Sequence, residues 1–321
     1  VSAPRPGIRR RRDFVSCGVA DEQIRRMCAG GTWRRVRRGA YAEAAAYAAL
    51  DPIARHRVQA LAALPEMADD TVLSHQSAAA VYGAPIVGLP VDRLCVTRNR
   101  RHGGRIKPHL KVHCAPLESV AEVDGMLLST PARTVVDLGR TVPFAAAVVA
   151  GDWLVREFGV TAADLAAELE LGGGRCGISA ARRVVGFLDP HSSSVAASRS
   201  RVRLYEFGVP IPQSQGDVFT ANGRLVGRVD FYFGDSGVVA ILDGQGDRVA
   251  GRDAVRSANR RDKMLRDNGF HVLRWTGDDL SSDAVAVRIH TALARPRPGG
   301  PEGYVRRALL PAPRPLTIRK L

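Results

Sequence analysis

Apolar residues in this chain recur every third or fourth position in some stretches and every second position in others, and the two periods take turns along it. In 20–31, "ADEQIRRMCAGG", Ile24, Met27 and Cys28 share one helical face while Arg25 and Arg26 point away. Ala20 or Asp21 marks the start and Gly30-Gly31 the end. Upstream, "RRRRDFVSC" predicts a short helix and Gly18 a turn; downstream, "TWRRVRRGAYA" predicts a compact β-ribbon anchored by Trp33, Val36 and Tyr41. From Asp51 the punctuation sharpens. "DPIARHRVQALAAL" has Asp51 as N-cap and Pro52 in the first turn, and "SHQSAAAVYGAP" is capped by Ser74, closed by Gly83 and followed by Pro85. Short β runs, "VDRLCVT" and "HLKVHCAP", precede helices at "TPARTVVDLGR" and "PFAAAVVAGDWLVREFG", and Thr161 with Asp164 forms a capping box. A Ser-rich connector at "LDPHSSSVAASRSR" leads into a basic helix over 196–207. Turn, strand, hairpin, strand, helix, strand and helix then follow in order.

These phrases predict an α/β multidomain protein. A winged helix occupies 1–50, a middle α/β domain 51–190 and a second α/β domain 191–294. The Pro/Arg-rich tail, 295–321, is expected to be disordered.

Charge adds a partner to this picture. The 321 residues hold 47 Lys and Arg against 32 Asp and Glu, a net +15, crowded into 5–12, 25–38, 98–107 and the C-terminal tail. An excess of this size suits a polyanion, nucleic acid first. A helix-turn-helix sets its second helix in the major groove while a basic wing grips flanking phosphates. Arg25 and Arg26 on the helix, with Arg34, Arg35, Arg37 and Arg38 on the ribbon, are therefore the candidate contacts to double-stranded DNA.

No apolar run reaches the ~18 residues of a membrane span, and Asp152 interrupts the longest, "VPFAAAVVAGDWL". The basic N-terminus has no apolar segment behind it, so the expectation is a cytoplasmic protein without a membrane partner. Cys17, Cys28, Cys95, Cys114 and Cys176 contain no C-x-x-C pair and read as free thiols.

Two clusters invite a catalytic reading. His109, His113 and Cys114, with Cys95 nearby, suggest zinc, but on a strand the histidines lie ~13 Å apart and Cys114 faces the other way. Ser74 beside His75 suggests a nucleophilic pair, yet no acidic third member or glycine-flanked serine accompanies it, which favours cap and first-turn packing.

Residues 13 to about 140, through "QIRRMCAGGTWRRVRRGAYA", "LSHQSAAAVYGAP" and "TPARTVVDL", resemble the AbiEi family of antitoxins from type IV toxin–antitoxin systems. The resemblance implies an N-terminal winged helix that binds its own promoter, and a cognate toxin as a further partner.

Residues 194–290, through "SRSRVRLYEFGVP", "GRVDFYF", "ILDG" and "RRDKMLRDNGFHVLRW", resemble the very-short-patch-repair-like branch of the PD-(D/E)XK nuclease superfamily. This implies a restriction-endonuclease-like fold. Strand parity places Asp230 where that family keeps its metal-binding aspartate, and puts Val239, Ile241 and Asp243 on one face. The family's two glutamate positions hold Ile241 and Ala197, and the histidine that often follows Asp-Gly is absent. Mg²⁺ needs several oxygen ligands in near-octahedral array, so the resemblance implies a degenerate centre without a cofactor. The alternative is an Mg²⁺-dependent DNA endonuclease using Asp230 and Asp243, helped by Asp247. Arg199, Arg201 and Arg203 on one helix and Arg260, Arg261 and Lys263 on another form a basic rim, either a solvated face or a holding surface for DNA, RNA or a protein.

Overall fold

The computed structural model describes residues 7–68, 70–100, 102–243, 252–295 and 300–321, with the backbone alone over 252–255. The chain is α/β and divides into two units. One takes 1–146, 160–185 and 314–321; the other takes 147–159 and 186–313. Among the described residues no helix is long and apolar enough to cross a membrane.

The first unit opens with β1 (Arg9–Arg10), α1 (Arg11–Ser16), α2 (Asp21–Ala29), β2 (Trp33–Arg37), β3 (Ala40–Glu43) and α3 (Ala44–Ala48). The three strands form a small antiparallel sheet in the order β1-β3-β2. Phe14 of α1, 2% exposed, sets its ring edge-on to Trp33 at 5.0 Å and Tyr41 at 5.6 Å, so the first helix is pinned to the ribbon by aromatic contacts. Gly18 makes the α1–α2 turn at φ +77°, a conformation glycine adopts without a Cβ penalty.

Next come α4 (Pro52–Ala63), β4 (Thr71–Leu73), α5 (His75–Tyr82), β5 (Leu94–Arg98), β6 (Arg105–Lys107), β7 (Leu110–Cys114), β8 (Ser119–Val123), β9 (Met126–Ser129) and α6 (Pro131–Thr141). The boundary expected near residue 50 does not separate two bodies. Ala42 and Tyr47 share an apolar cluster with Val58 of α4, and the Arg10 guanidinium donates to the carbonyls of Leu61 and Ala62. Asp51 caps α4 as its sequence predicts, accepting from the amides of Ile53 and Ala54 at 2.8 and 2.9 Å.

After α7 (Phe144–Phe158) the unit continues with α8 (Ala162–Leu171) and α9 (Ile178–Val185). A Cβ at Gly139 of α6 would lie 2.9 Å from the Ala181 Cα of α9, so glycine is what lets these helices close. On α6, Arg133 and Asp137 are both buried; the guanidinium reaches Asp137 at 2.9 Å and the Pro116 carbonyl at 3.0 Å.

The second unit holds the later part of α7, then α10 (Val195–Glu206), β10 (Gln213–Phe219), β11 (Leu225–Tyr232), β12 (Val238–Leu242), α11 (Arg252–Asp267), β13 (His271–Trp275), α12 (Ala284–Ala294) and β14 (Tyr304–Arg307). Its sheet runs β13-β12-β11-β10-β14, with β12 and β13 parallel and the rest antiparallel. Two apolar clusters line it. Ala197, Leu204 and Ile289 of α10 and α12 join Phe231, Ala240 and Trp275, whereas Leu265 of α11 joins Val229, Val239 and Ile241. The strands are thus covered by helices through both clusters, which explains their nearly continuous apolar sequence.

A buried polar knot fastens α7 to this unit. Asp152 accepts from the Asp189 amide at 2.8 Å, the Ser198 hydroxyl at 2.8 Å and the Arg201 guanidinium at 3.0 Å. Burial pushes its carboxyl up to about 6 against the pull of Arg201. The unit therefore extends beyond the 191–294 expected from sequence at both ends.

The tail expected to be disordered contains two paired strands. Strand β14 pairs with β10, while β15 (Thr317–Lys320), in the first unit, pairs with β8 and completes the order β15-β8-β9-β4-β5-β7-β6. A Pro/Arg-rich composition hides them, because an edge strand needs only one partner and tolerates proline and charge around it.

Candidate nucleic-acid interface and carboxylate centre

Helix α2 presents Arg25 and Arg26 to solvent while Ile24, 2% exposed, faces inward, as the helical spacing predicts. Arg25 meets Glu22 at 3.2 Å across one turn, an exposed pair of little energetic weight. On the ribbon Arg34, Arg35 and Arg38 are exposed. The Arg34 guanidinium lies 5.4 Å from the Tyr47 ring centroid, and Arg35 Nε donates to the Arg37 carbonyl at 3.4 Å. Arg37 differs from the others. It is half-buried and turns to Glu66 at 3.5 Å, which takes it away from the exposed set. Five of the six arginines singled out by sequence are thus exposed on one small α/β element.

In the second unit Asp230 sits on β11, where the hairpin pattern predicts it. Its carboxylate accepts from the Leu242 amide at 2.8 Å and from the Gln215 side chain at 3.1 Å. Burial raises its proton affinity all the same, with these donors and the charges of Arg261 and Arg274 opposing. Asp243 is engaged elsewhere. Arg274 of β13 donates to it through Nε at 2.9 Å and also through Nη2, and its Nη1 reaches both oxygens of Asp262 at 3.1 and 3.0 Å. These bonds raise the proton affinity of the guanidinium still further above its ordinary value.

Ile241, 4% exposed, and Ala197, 1% exposed, are packed into the two apolar clusters. The oxygen donors present therefore do not suit Mg²⁺: one carboxylate is committed to two hydrogen bonds, the other to a guanidinium, and the flanking positions carry only hydrocarbon. Among the described residues no group of three or more His, Cys, Asp or Glu side chains is arranged to hold a metal. Asp247 lies outside the described residues.

No family model matches the chain. It is similar to two Mycobacterium tuberculosis proteins named Uncharacterized protein Rv2248 and Uncharacterized protein MT2308. Each is 26% identical over 258 residues, covering 79% of this chain and 92% of the relative. A crystal structure of the RV2827C protein from Mycobacterium tuberculosis aligns at TM-score 0.38 and 17% identity, covering 61% of this chain and 76% of that one.

The carboxylate centre includes residues that sequence reasoning did not reach. Gln215 lies across the β10–β11 ladder from Asp230 and adopts φ +56°, a strained value for a residue with a side chain; its amide bridges Asp230 and Ser193. Arg274 is written into "FHVLRW" as part of a strand pattern, and only the parallel β12–β13 pairing brings it across from Ile241, next to Asp243. The basic rim is smaller than predicted. Arg201 is 3% exposed and bound to Asp152, while Arg199, Arg260 and Lys263 stay exposed, Lys263 beside Asp267 at 2.6 Å.

Ser74 and His75 form neither a nucleophilic pair nor a simple cap. The Ser74 hydroxyl bonds His75 Nδ1 at 2.9 Å and makes no capping bond to the α5 backbone. His75, at φ +52°, stacks on His113 with ring centroids 3.8 Å apart. With Ser74 and His75 at 0% and 1% exposure, the pair has no access to a substrate and belongs to the core. His109 is exposed and lies apart from His113, in keeping with the strand argument against zinc.

Proposed function

We propose that this protein is a cytoplasmic, duplex-DNA-binding transcriptional regulator of the AbiEi antitoxin type. In this reading α1, α2 and the β2–β3 ribbon act as a winged helix, and the second unit is a restriction-endonuclease-like scaffold that binds without cutting. The observation that carries the reading is the exposed set Arg25, Arg26, Arg34, Arg35 and Arg38 on a helix and an adjoining ribbon. A recognition helix reads base edges while a basic ribbon fixes it to the phosphates on either side. The pairing of Arg274 with Asp243 supports the absence of metal-dependent hydrolysis, because a guanidinium already neutralises one of the two carboxylates an ion would need.

The test is fluorescence anisotropy of the full chain on duplexes taken from upstream of its own coding sequence and on scrambled controls. Salt-sensitive binding that favours the upstream duplex is expected, weakened at least tenfold by joint replacement of the five exposed arginines with alanine. Equal affinity in wild type and variant would remove the winged-helix reading. Supercoiled plasmid incubated with Mg²⁺ or Mn²⁺ should remain intact; nicking that is lost in Asp230→Ala would instead establish the endonuclease alternative.

A further inference from the structure

From Arg93 to Leu117 the chain contains no aspartate or glutamate and seven lysines and arginines. Part of that charge is answered within the fold. Asp70 takes Arg98 at 3.2 Å and Arg100, and Asp92 takes Arg93 at 3.6 Å. Arg105, Lys107 and Lys111 have no ion pair among the described residues, and all three lie on the β6–β7 hairpin, whose strands are joined by Pro108 and His109.

Strand β6 ends the order of the seven-stranded sheet, and each of its residues is exposed, Ile106 at 65%. The register sets Ile106 opposite Lys111 and Arg105 opposite Val112. Cross-strand partners share a face, so Arg105 and Lys107 point to one side of the ribbon and Lys111 to the other.

We propose that the β6–β7 hairpin is a second duplex-DNA contact, a basic sheet edge that grips phosphates away from the recognition helix. The inference rests on the DNA-binding reading given above and adds a contact to it. Strand β7 is hydrogen-bonded to β5 on its other side, so the part of the hairpin that can meet a duplex is the free edge at β6, where closely spaced cations can contact the phosphates of a duplex laid along it. Pairing of this edge with the same edge of a second copy is opposed by like charge. Charged side chains, lysine above all, protect edge strands from pairing, and the acid-free run continues beyond the edge strand itself. These contacts are to phosphate, so they add affinity on any duplex sequence and steepen its salt dependence.

The experiment is anisotropy of the full chain on a labelled upstream duplex and on a scrambled duplex between 50 and 200 mM KCl. Wild type is compared with Arg105→Ala/Lys107→Ala/Lys111→Ala, with Lys107→Glu alone, and with Arg34→Ala/Arg35→Ala. Each phosphate contact contributes about 0.9 to the slope of log affinity against log salt, so losing three lowers the slope by about 2.7. The ratio of wild-type to triple-variant affinity should then shrink about 40-fold across that salt range. The loss should be equal on the two duplexes, with Lys107→Glu moving in the same direction and an unchanged thermal unfolding midpoint. If the triple variant and Lys107→Glu keep the wild-type affinity and slope while Arg34→Ala/Arg35→Ala weakens, the hairpin proposal is overturned and the DNA-binding reading stands. An acidic protein partner would give that same pattern. If wild type binds neither duplex, both fall.

Discussion

Arg274 and Asp243 are joined side by side across the parallel pairing of β13 with β12, and the same guanidinium holds Asp262 on α11 with its remaining nitrogen. A positively charged group thus closes the end of the sheet where two carboxylates converge. Asp262 is 5% exposed and takes that cation at 3.0 Å, with Arg266 standing farther off at 3.9 Å. Replacing Arg274 with Met should destabilise the protein by about 2–4 kcal/mol, because a mostly buried carboxylate loses its hydrogen-bonded cation and keeps only the longer contact with Arg266. The urea midpoint measures this, with Arg274→Lys expected to recover part of the loss but not the bidentate geometry.

Restoring one missing glutamate should not restore a nuclease. Ile241→Glu puts a carboxylate into the cluster of Val229, Val239 and Leu265, at a cost of about 3 kcal/mol or more. Asp243 remains tied to Arg274 and Ala197 remains apolar, so plasmid incubated with Mn²⁺ should stay supercoiled. The midpoint of denaturation and the plasmid assay read the two expectations separately.

The stacked histidines make the first unit sensitive to acid. Burial lowers His75 from 6.5 to about 4 and His113 to about 3, so the unfolded chain takes up protons that the folded chain refuses. Stability is therefore full above pH ~6.5 and lost as pH falls from there through each lowered value. His113→Phe keeps a ring against His75 and removes one titrating group. Its plot of unfolding free energy against pH between 6.5 and 4 should be shallower than wild type by up to about 1.4 kcal/mol per pH unit.

The end of the chain should matter to stability. Arg314 donates to the Tyr82 carbonyl at 2.8 Å, Arg319 pairs with Glu122, and β15 covers the outer edge of β8. Deleting 314–321 frees that edge and should abolish slow amide exchange in Ser119–Val123 more than in Leu94–Arg98, which lies inside the sheet. Uniform loss across both strands would mean the tail supports the unit as a whole rather than one edge.

Local punctuation carried most of the elements into view. Asp51 with Pro52, Gly83, and the Thr161–Asp164 box each fix a helix end through backbone hydrogen bonds made within a few residues, and such ends are readable without the rest of the fold. Trp33 and Tyr41 were recognisable as anchors of the ribbon, whereas Phe14, whose ring meets both, was not. What escaped depends on partners far away in sequence. Arg201 reads as a surface cation until Asp152, on another helix, is placed beside it, and Ser74 reads as a cap until its hydroxyl turns to His75. Arg37 looked equivalent to its neighbours, but a register shift between Arg35 and Arg37 accompanies its turn toward Glu66. Strands β14 and β15 escaped because pairing at a sheet edge is dictated by the neighbouring strand and leaves little periodicity in the added one.

The two units are threaded through one another along the chain, which passes between them at 146/147, 159/160, 185/186 and 313/314. During synthesis neither of the two larger sheets can be finished early. Strand β10 waits for β14, and β8 waits for a strand that leaves the ribosome only after all of the second unit's sequence has been translated. Until then the growing chain carries two unpaired edges, and a ribosome that stalls near residue 300 would release a protein with both of them open.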